Sequence, residues 1–440
     1  MGSDLLQGLA GYRGWGTASL LDISDVIQRY RRTRRESAHP YNAYTLRILH
    51  LPKWYPNRYD DQDGDFVGRH VAAIAPQAEV AVLFAAVARG PLPSLIECSA
   101  ELTGPVPTWR YYYRAQPTGL GPLDKVLKLG LYFWCLAKGY RQLTHHWGAP
   151  PQLVHVHVLL RTGLFAWWLK LTRGLPYVIT EHWTLYLPQN AHRIGWLRQR
   201  LTRRVVRAAA GLHTVSVNLR GALAQLGISN PRTVTIPNVV DTALFRPAEE
   251  PVARQGLLHV AAFNEQAKNL SGLLRVVAQL RATRPDMRLR IAGYGPAEEQ
   301  MKQLATDLDL LRDDTVVFLG KLTSEAVAAE MRRAACFVLF SNYENLPCVL
   351  IEAQASGLPA VATEVGGVPE LLPPDGTHGY LVPPGDEAAL AAALAYVLDH
   401  PHQFDPQGLR QYAEVHFSYA AVGRRFAAFY AEVLSSEAPR

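Results

Sequence analysis

Cysteine is scarce in this 440-residue chain: Cys98, Cys135, Cys336 and Cys348 are too few and too scattered for a disulfide framework or a cysteine-rich zinc cluster. That scarcity suits a reducing compartment. Long apolar runs are missing too. The longest, Val80–Ala88 and Leu129–Ala137, are about nine residues each, well short of the ~20 that span a bilayer. No compact apolar stretch follows a basic start at the N-terminus. These absences predict a cytoplasmic protein without transmembrane helices. No Asp-x-Asp pair sits convincingly at the end of a strand, so no catalytic metal is expected.

The chain is 48% hydrophobic and 19% charged, which leaves no bias toward disorder, and its length predicts two domains. A net charge of +7 and a pI near 9.2 suit phosphorylated ligands, anionic lipid headgroups or nucleic acid about equally. Residues 1–43 show no strand pattern and end in a cluster of Arg29, Arg31, Arg32, Arg34 and Arg35, read as a solvated leader.

From Leu46 onward, strand-like and helix-like segments alternate: "LRILHL", "FVGRHVAAIA", "EVAVLFAAVA", then "QLVHVHV", "PYVITEH", "GLHTVSV" and "TVTIPN". After the linker at residues 243–256 the alternation restarts with "LLHVAAF", "RLRIAGYG", "TVVFLG", "CFVLF" and "PAVAT". The pattern predicts an α/β protein with two doubly wound, Rossmann-like domains, over residues 44–242 and 257–416, and a last segment at 417–440. Ligands of such sheets gather at the carboxyl ends of strands, here in a cleft between the domains.

The stretch "NYENLPCVLIEAQASGLPAVATEVGGVPELL" sets Glu344 and Glu352 around the start of a helix. Asn345 is expected as its N-cap, Pro347 in its first turn and Gly357 as its stop. Free N–H groups and the helix dipole favour a phosphate at that start. A diphosphate there, with a ribose near Glu352 and a sugar near Glu344, would use all three features.

With "VTIPNVVDTALFRP", "LRIAGYGP", "GYLVPPGDEAALAAAL" and "FSYAAVGRRFAAFYAEVL" in order around it, this stretch resembles the retaining, nucleotide-sugar-dependent enzymes of glycosyltransferase family 4 over about residues 45–436. The resemblance implies the GT-B fold, with residues 417–440 as a helix crossing back to the first domain. It implies that Glu344 meets the hydroxyls of the donor sugar, that Glu352 meets the ribose, and that Lys268 in "FNEQAKNL" pairs with the diphosphate. It places Asn345, Leu346 and the glycines Gly366 and Gly367 against the donor, and Gly64 in the loop after the first strand. His182 in "VITEHWT" aligns with a histidine beside sugar and acceptor. Gly293 belongs to the same donor-side set, although "AGYGP" reads chiefly as the shape of a loop. The family's usual pattern supplies a second phosphate-binding cation, an arginine, where this chain has Phe263.

The resemblance further implies front-face transfer without a protein nucleophile, a cofactor or a metal, to a glycan, lipid-linked or other hydroxyl acceptor, and no nucleic-acid partner. A catalytically impaired binding or scaffold protein and a nucleotide-sugar epimerase are the alternatives. His155 and His157 share a strand face and, lacking a third ligand at metal spacing, read as structural. Leu127, Leu131, Phe133 and Trp134, interleaved with Lys125, Lys128, Lys138 and Arg141, together with the arginines of "RIGWLRQRLTRRVVR", suggest peripheral contact with an anionic membrane surface at its inner face.

Overall fold

The computed structural model describes residues 46–437 apart from 117, 251 and 252. The leader at 1–43, with its arginine cluster, lies outside the described residues.

The first sheet has eight strands, β1 (Arg47–Pro52), β2 (Glu79–Val87), β3 (Ile96–Glu101), β4 (Thr108–Tyr113), β5 (Leu153–His157), β6 (Tyr177–Glu181), β7 (Gly211–Thr214) and β8 (Thr233–Thr235), in the order β3-β4-β2-β1-β5-β6-β7-β8. All neighbours run parallel except β3 and β4. Strands β5, β6 and β7 are buried end to end, as a parallel sheet covered by helices on both faces requires. The antiparallel β3 is largely exposed and carries Glu97 and Glu101, charges that suit a free edge. The helices are α1 (Asp65–Ile74), α2 (Gly121–Trp147), α3 (Arg161–Arg173), α4 (Trp196–Ala208) and α5 (Val217–Gln225).

The second sheet has six parallel strands, β9 (Leu257–Val260), β10 (Leu289–Ala292), β11 (Val316–Gly320), β12 (Cys336–Leu339), β13 (Ala360–Thr363) and β14 (Gly379–Val382), in the order β11-β10-β9-β12-β13-β14. Its helices are α6 (Leu270–Arg281), α7 (Glu298–Asp307), α8 (Ser324–Arg333), α9 (Cys348–Ala355) and α10 (Glu387–Asp399), followed by α11 (Pro406–Phe417) and α12 (Tyr419–Glu437).

The terminal α12 returns to the first sheet. Val422, Phe426, Phe429, Tyr430 and Val433 share a buried cluster with Ile48, Val67, Val71 and Val80. The chain's two passages between the sheets touch each other, since the Val240 N–H donates to the Phe417 carbonyl at 2.9 Å.

Strand order reverses direction between β1 and β5 in the first sheet and between β9 and β12 in the second. At such switch points the loops leaving adjacent strands diverge and open a crevice. The loops after β9 and β12 carry Lys268 and Glu344; those after β1 and β5 carry Lys53 and residues 158–160. Val158 and Leu160 adopt φ of 70° and 97°. That conformation is strained for side-chain-bearing residues and is characteristic of functional loops.

Candidate active site

Glu344 and Glu352 both end up buried, 7% and 5% exposed, each against a cation. Lys268, at the end of a one-turn helix after β9, places Nζ 2.5 Å from Oε1 of Glu344, and the same oxygen accepts from the Ser341 hydroxyl at 2.7 Å. Sequence reasoning placed Lys268 and Glu344 in one site, and the structure brings them into contact across 76 positions of chain.

Glu352 lies inside α9, and its partner comes from the other domain. Arg69 of α1 reaches across the cleft and places Nη1 2.5 Å from Oε1 of Glu352, while its Nε bonds Asp65 at 2.7 Å, one helical turn back. Burial works against the charge on Arg69, but Glu352 and Asp65 more than offset it and push its pKa up. Sequence reasoning missed Arg69. Its only sequence-visible partner is Asp65, an ordinary i,i+4 pair, whereas Glu352 lies 283 residues away.

One expectation about this stretch needs correction. Helix α9 begins at Cys348 with Pro347 in the capping position, so Asn345 is not its N-cap. The Asn345 side chain is engaged elsewhere: its amide donates to the His182 carbonyl at 3.0 Å and its oxygen accepts from the Ser216 hydroxyl at 2.7 Å. Both bonds cross between the domains. Leu346 is buried and its carbonyl accepts from the Asn238 amide at 2.7 Å, a third crossing. Phe263 stands where the family's arginine would. It is 2% exposed and packs edge-on against Phe318 in the core of the second domain.

The glycine pair after β13 has a packing explanation. Gly366 has φ +56°, and a Cβ there would meet the Glu344 carbonyl oxygen at 1.8 Å. A Cβ on Gly367 would meet the Asn345 carbonyl oxygen at 2.3 Å, and its N–H donates to that oxygen at 2.8 Å. The loop therefore lies flat on residues 344–345 and fixes their backbone. Just beyond it, Glu370 accepts from the N–H groups of Val217 and Asn218, both at 2.8 Å, at the start of α5 in the first domain. We expect Gly366→Ala to destabilise the fold by about 2–4 kcal/mol, because the new methyl both strains φ and displaces a backbone. Urea denaturation measures this, and a midpoint equal to wild type would refute it.

Gly64 precedes α1 with φ +69°, and a Cβ there would lie 2.3 Å from the Trp54 carbonyl carbon. It lets the loop after β1 fold tightly enough to bring α1, and with it Arg69, to the cleft. Gly293, in the loop after β10, lies against the loop after β9, where a Cβ on it would meet the Ala261 carbonyl oxygen at 1.9 Å.

His182, directly after β6, is 8% exposed with both ring nitrogens unpartnered among the described residues. Burial, then the neighbouring His70 and His213, holds its pKa well below the ordinary value, so the ring is neutral. Glu181 beside it accepts from the N–H groups of Leu159, His182 and Trp183 at 2.7–2.9 Å, yet burial still raises its pKa to about 7. On the same side Lys53 lies 3.2 Å from the Trp183 ring centroid and Arg198 lies 4.8 Å from it. Burial lowers the Lys53 pKa to about 8; Glu181 opposes that shift, and Arg198 and Arg161 add to it. Sequence reasoning missed this cationic corner, which assembles from β1, α3 and α4.

Two doubly wound domains facing each other across a cleft, with a phosphate-ready helix start between two cation-paired carboxylates, define a GT-B group-transfer enzyme. Residues 65–239 match the family profile described as "Glycosyl transferase 4-like domain", and residues 254–400 match "Glycosyl transferases group 1". The chain is 31% identical to the MMP alpha-(1->4)-mannosyltransferase of Mycolicibacterium hassiacum over 64% of its own length and 71% of that protein. Among solved structures it resembles sucrose-phosphate synthase from Thermosynechococcus elongatus (TM-score 0.69, 20% identity, 89% of this chain and 100% of that one). It also resembles Anabaena HepE (TM-score 0.65, 20% identity, 87% and 99%). The chain belongs to the group 1 glycosyltransferases of glycosyltransferase family 4 and acts as a nucleotide-sugar-dependent glycosyltransferase.

Proposed function

We propose that the protein moves a sugar from a nucleoside-diphosphate sugar to a hydroxyl acceptor with retention at the anomeric carbon and without a catalytic metal. The observation that carries this reading is the arrangement Lys268–Glu344 and Arg69–Glu352 on either side of the start of α9. Each pair holds a carboxylate for hydroxyl groups and a cation for phosphate, so donor binding would exchange carboxylate–cation contacts for carboxylate–hydroxyl and cation–phosphate ones. Arg69 supplies the cation that the position of Phe263 does not. Lys268, Arg69 and the first N–H groups of α9 then stabilise the leaving diphosphate. The anomeric carbon–oxygen bond to phosphate breaks, the acceptor oxygen bonds to that carbon on the same face, and the acceptor proton passes to the departing phosphate oxygen. Glu344 orients the sugar and His182 lies on the acceptor side. The HepE structure holds UDP, which supports a uridine donor class for the first screen.

The test is a screen of nucleotide sugars for stabilisation of the fold, followed by mass spectrometry with hydroxyl acceptors and NMR of the product's anomeric configuration. An inverted product, or turnover that chelator abolishes and Mg²⁺ restores, would overturn the mechanism. A folded protein that binds no nucleotide sugar would favour the scaffold reading instead.

The acceptor half carries Lys53, Arg161 and Arg198, which favours an acceptor bearing negative charge, such as a lipid-linked phosphate. Among the described residues no helix is long and apolar enough to cross a membrane. On α2, Leu131 and Phe133 pack against the core, so they are not the membrane-facing residues expected from the sequence. Leu123, Val126, Leu127, Leu129 and Trp134 are exposed, as are Trp196 and Leu197 on α4 beside Arg200, Arg203 and Arg204. This surface is read as a membrane face. The protein should therefore sediment with anionic vesicles at low salt and be released as salt screens the attraction. Val126→Glu with Trp134→Glu should weaken sedimentation by about tenfold or more, and equal sedimentation of wild type and variant would rule this face out.

A further inference from the structure

Six buried histidines gather at the switch point of the first sheet: His50, His70, His155, His157, His182 and His213, all 0% exposed except His182 at 8%. Neither the donor site nor the leaving-group chemistry uses this cluster as a whole. His155 and His157 do have further imidazole neighbours at metal spacing, supplied by β1, α1 and the loop after β6. The sequence reads them as structural for want of a third ligand, and the fold supplies one.

Two overlapping triplets place one nitrogen from each member within 4.8 Å of the others: His50, His155 and His157, and His70, His157 and His182. The first is committed elsewhere, because His155 already uses both nitrogens, bonding the Tyr430 hydroxyl at 2.7 Å and the Thr180 hydroxyl at 2.6 Å. The second is not. Nδ1 of His70, Nδ1 of His157 and both ring nitrogens of His182 are buried without a hydrogen-bond partner among the described residues. Buried polar atoms left unpaired are costly, and four of them on three rings at metal spacing need a reason.

The remaining nitrogens are arranged as the outer contacts of metal ligands are. Nε2 of His70 lies 3.3 Å from the Pro237 carbonyl, which can only accept, so the proton sits on Nε2 and the lone pair on Nδ1. Nε2 of His157 lies 2.9 Å from Nδ1 of His50; donation by His157 leaves its own Nδ1 free to ligate. Ring centroids are 5.2 Å apart for His70 and His182 and 6.1 Å for His157 and His182. Imidazoles on a tetrahedral ion at ~2.0–2.1 Å have centroids roughly 5 Å apart, so small ring rotations suffice. Burial lowers the pKa of all three rings, neighbouring histidines add to this for His157 and His182, and the Pro237 carbonyl opposes it only in part for His70, so all three favour the neutral form that ligates.

We propose that His70, His157 and His182 bind a late first-row divalent ion of the Zn²⁺ class, tying α1 to the ends of β5 and β6 beneath the cleft. Three neutral imidazoles with one open position suit such an ion better than Mg²⁺ or Ca²⁺, which prefer oxygen ligands. The site is separate from the donor carboxylates but shares His182 with the acceptor side proposed above, where the ion would hold that ring in place; no step of the transfer is routed through the ion.

The test uses the full chain, freed of any affinity tag, dialysed against chelator and then titrated with Zn²⁺ against a chromophoric competitor. One ion per chain is expected. His70→Gln and His157→Gln should each weaken binding by at least about 100-fold, and His50→Gln, one contact further out, by about 10–100-fold. A His145→Gln/His146→Gln control, on the exposed end of α2, should bind as wild type does. Co²⁺ in the unmodified protein should give the intense visible bands of tetrahedral coordination, a readout that needs no variant to fold. Failure of the wild type to bind Zn²⁺, weak octahedral-type Co²⁺ bands, binding that survives His70→Gln and His157→Gln, or binding lost in the surface control would each overturn the proposal.

Discussion

Glu344→Gln should leave a folded protein that binds nucleoside diphosphate about as well as wild type yet turns over about 100–1,000-fold more slowly. Glutamine has the shape of glutamate, and its carbonyl can still accept from Lys268 and Ser341, so the buried pocket keeps its hydrogen bonds. What it loses is the charge facing the sugar, whose ring carries growing positive charge as the bond to phosphate breaks. Lys268→Met separates the other half of the pair. It should weaken nucleoside diphosphate by about 10–150-fold, the worth of a hydrogen bond to a charged group, and nucleoside hardly at all. It should also destabilise the fold by roughly 1–3 kcal/mol, because Glu344 would remain buried with only Ser341 beside it.

The double variant Lys268→Met/Glu344→Gln distinguishes these effects. Removing both charges relieves the unpaired carboxylate, so stability should return toward wild type while turnover stays lost. Calorimetry of nucleotide binding, urea denaturation and steady-state rates give the three readouts. If turnover of Glu344→Gln fell within about threefold of wild type, Glu344 would be a structural partner of Lys268 and nothing more.

Much of this architecture was legible before any coordinates, for a physical reason. Fully buried parallel strands must be short apolar runs, so "LVHVHV", "PYVITEH" and "CFVLF" announce themselves, and their alternation with helical periods allows few topologies. The edge hairpin β3–β4 was not read, because "IECSAE" is exposed and its charges mask the strand period. Asn345 fooled local reasoning: asparagine before a helix is a strong capping signal, but its amide is spent across the cleft on His182 and Ser216.

Long-range partners were the least legible. Glu352 meets Arg69, and His157 meets His70 and His182, only because the two sheets and their switch points bring distant loops together. Phe263 illustrates the converse. A motif position that lacks its usual cation looks like lost function in sequence, while the structure shows a core aromatic there and, separately, Arg69 of the opposite domain paired with Glu352.

That cation supports the second large prediction: Arg69→Gln should weaken nucleoside diphosphate by about 10–100-fold. Two roles for Arg69 would both lower affinity, and they are separable. If Arg69 only positions Glu352, its loss disturbs the ribose contact. Nucleoside and nucleoside diphosphate then weaken together, and Arg69→Gln/Glu352→Gln is no worse than Glu352→Gln alone. If Arg69 turns from Glu352 to the diphosphate when donor enters, Arg69→Gln spares nucleoside, Glu352→Gln weakens both ligands, and the losses for nucleoside diphosphate add in the double variant. The geometry favours the second outcome. Arg69 is held at the mouth of α9 by two carboxylates at 2.5 and 2.7 Å, and one of them, Glu352, is the group the ribose is proposed to claim. Once Glu352 accepts from ribose hydroxyls, a partly buried guanidinium needs another anion, and the diphosphate is the one that arrives with the ribose. Titration of both ligands into the three variants completes the cycle. An unchanged ratio of nucleoside to nucleoside-diphosphate affinity in Arg69→Gln would make Arg69 a strut between the domains and leave Lys268 as the phosphate cation.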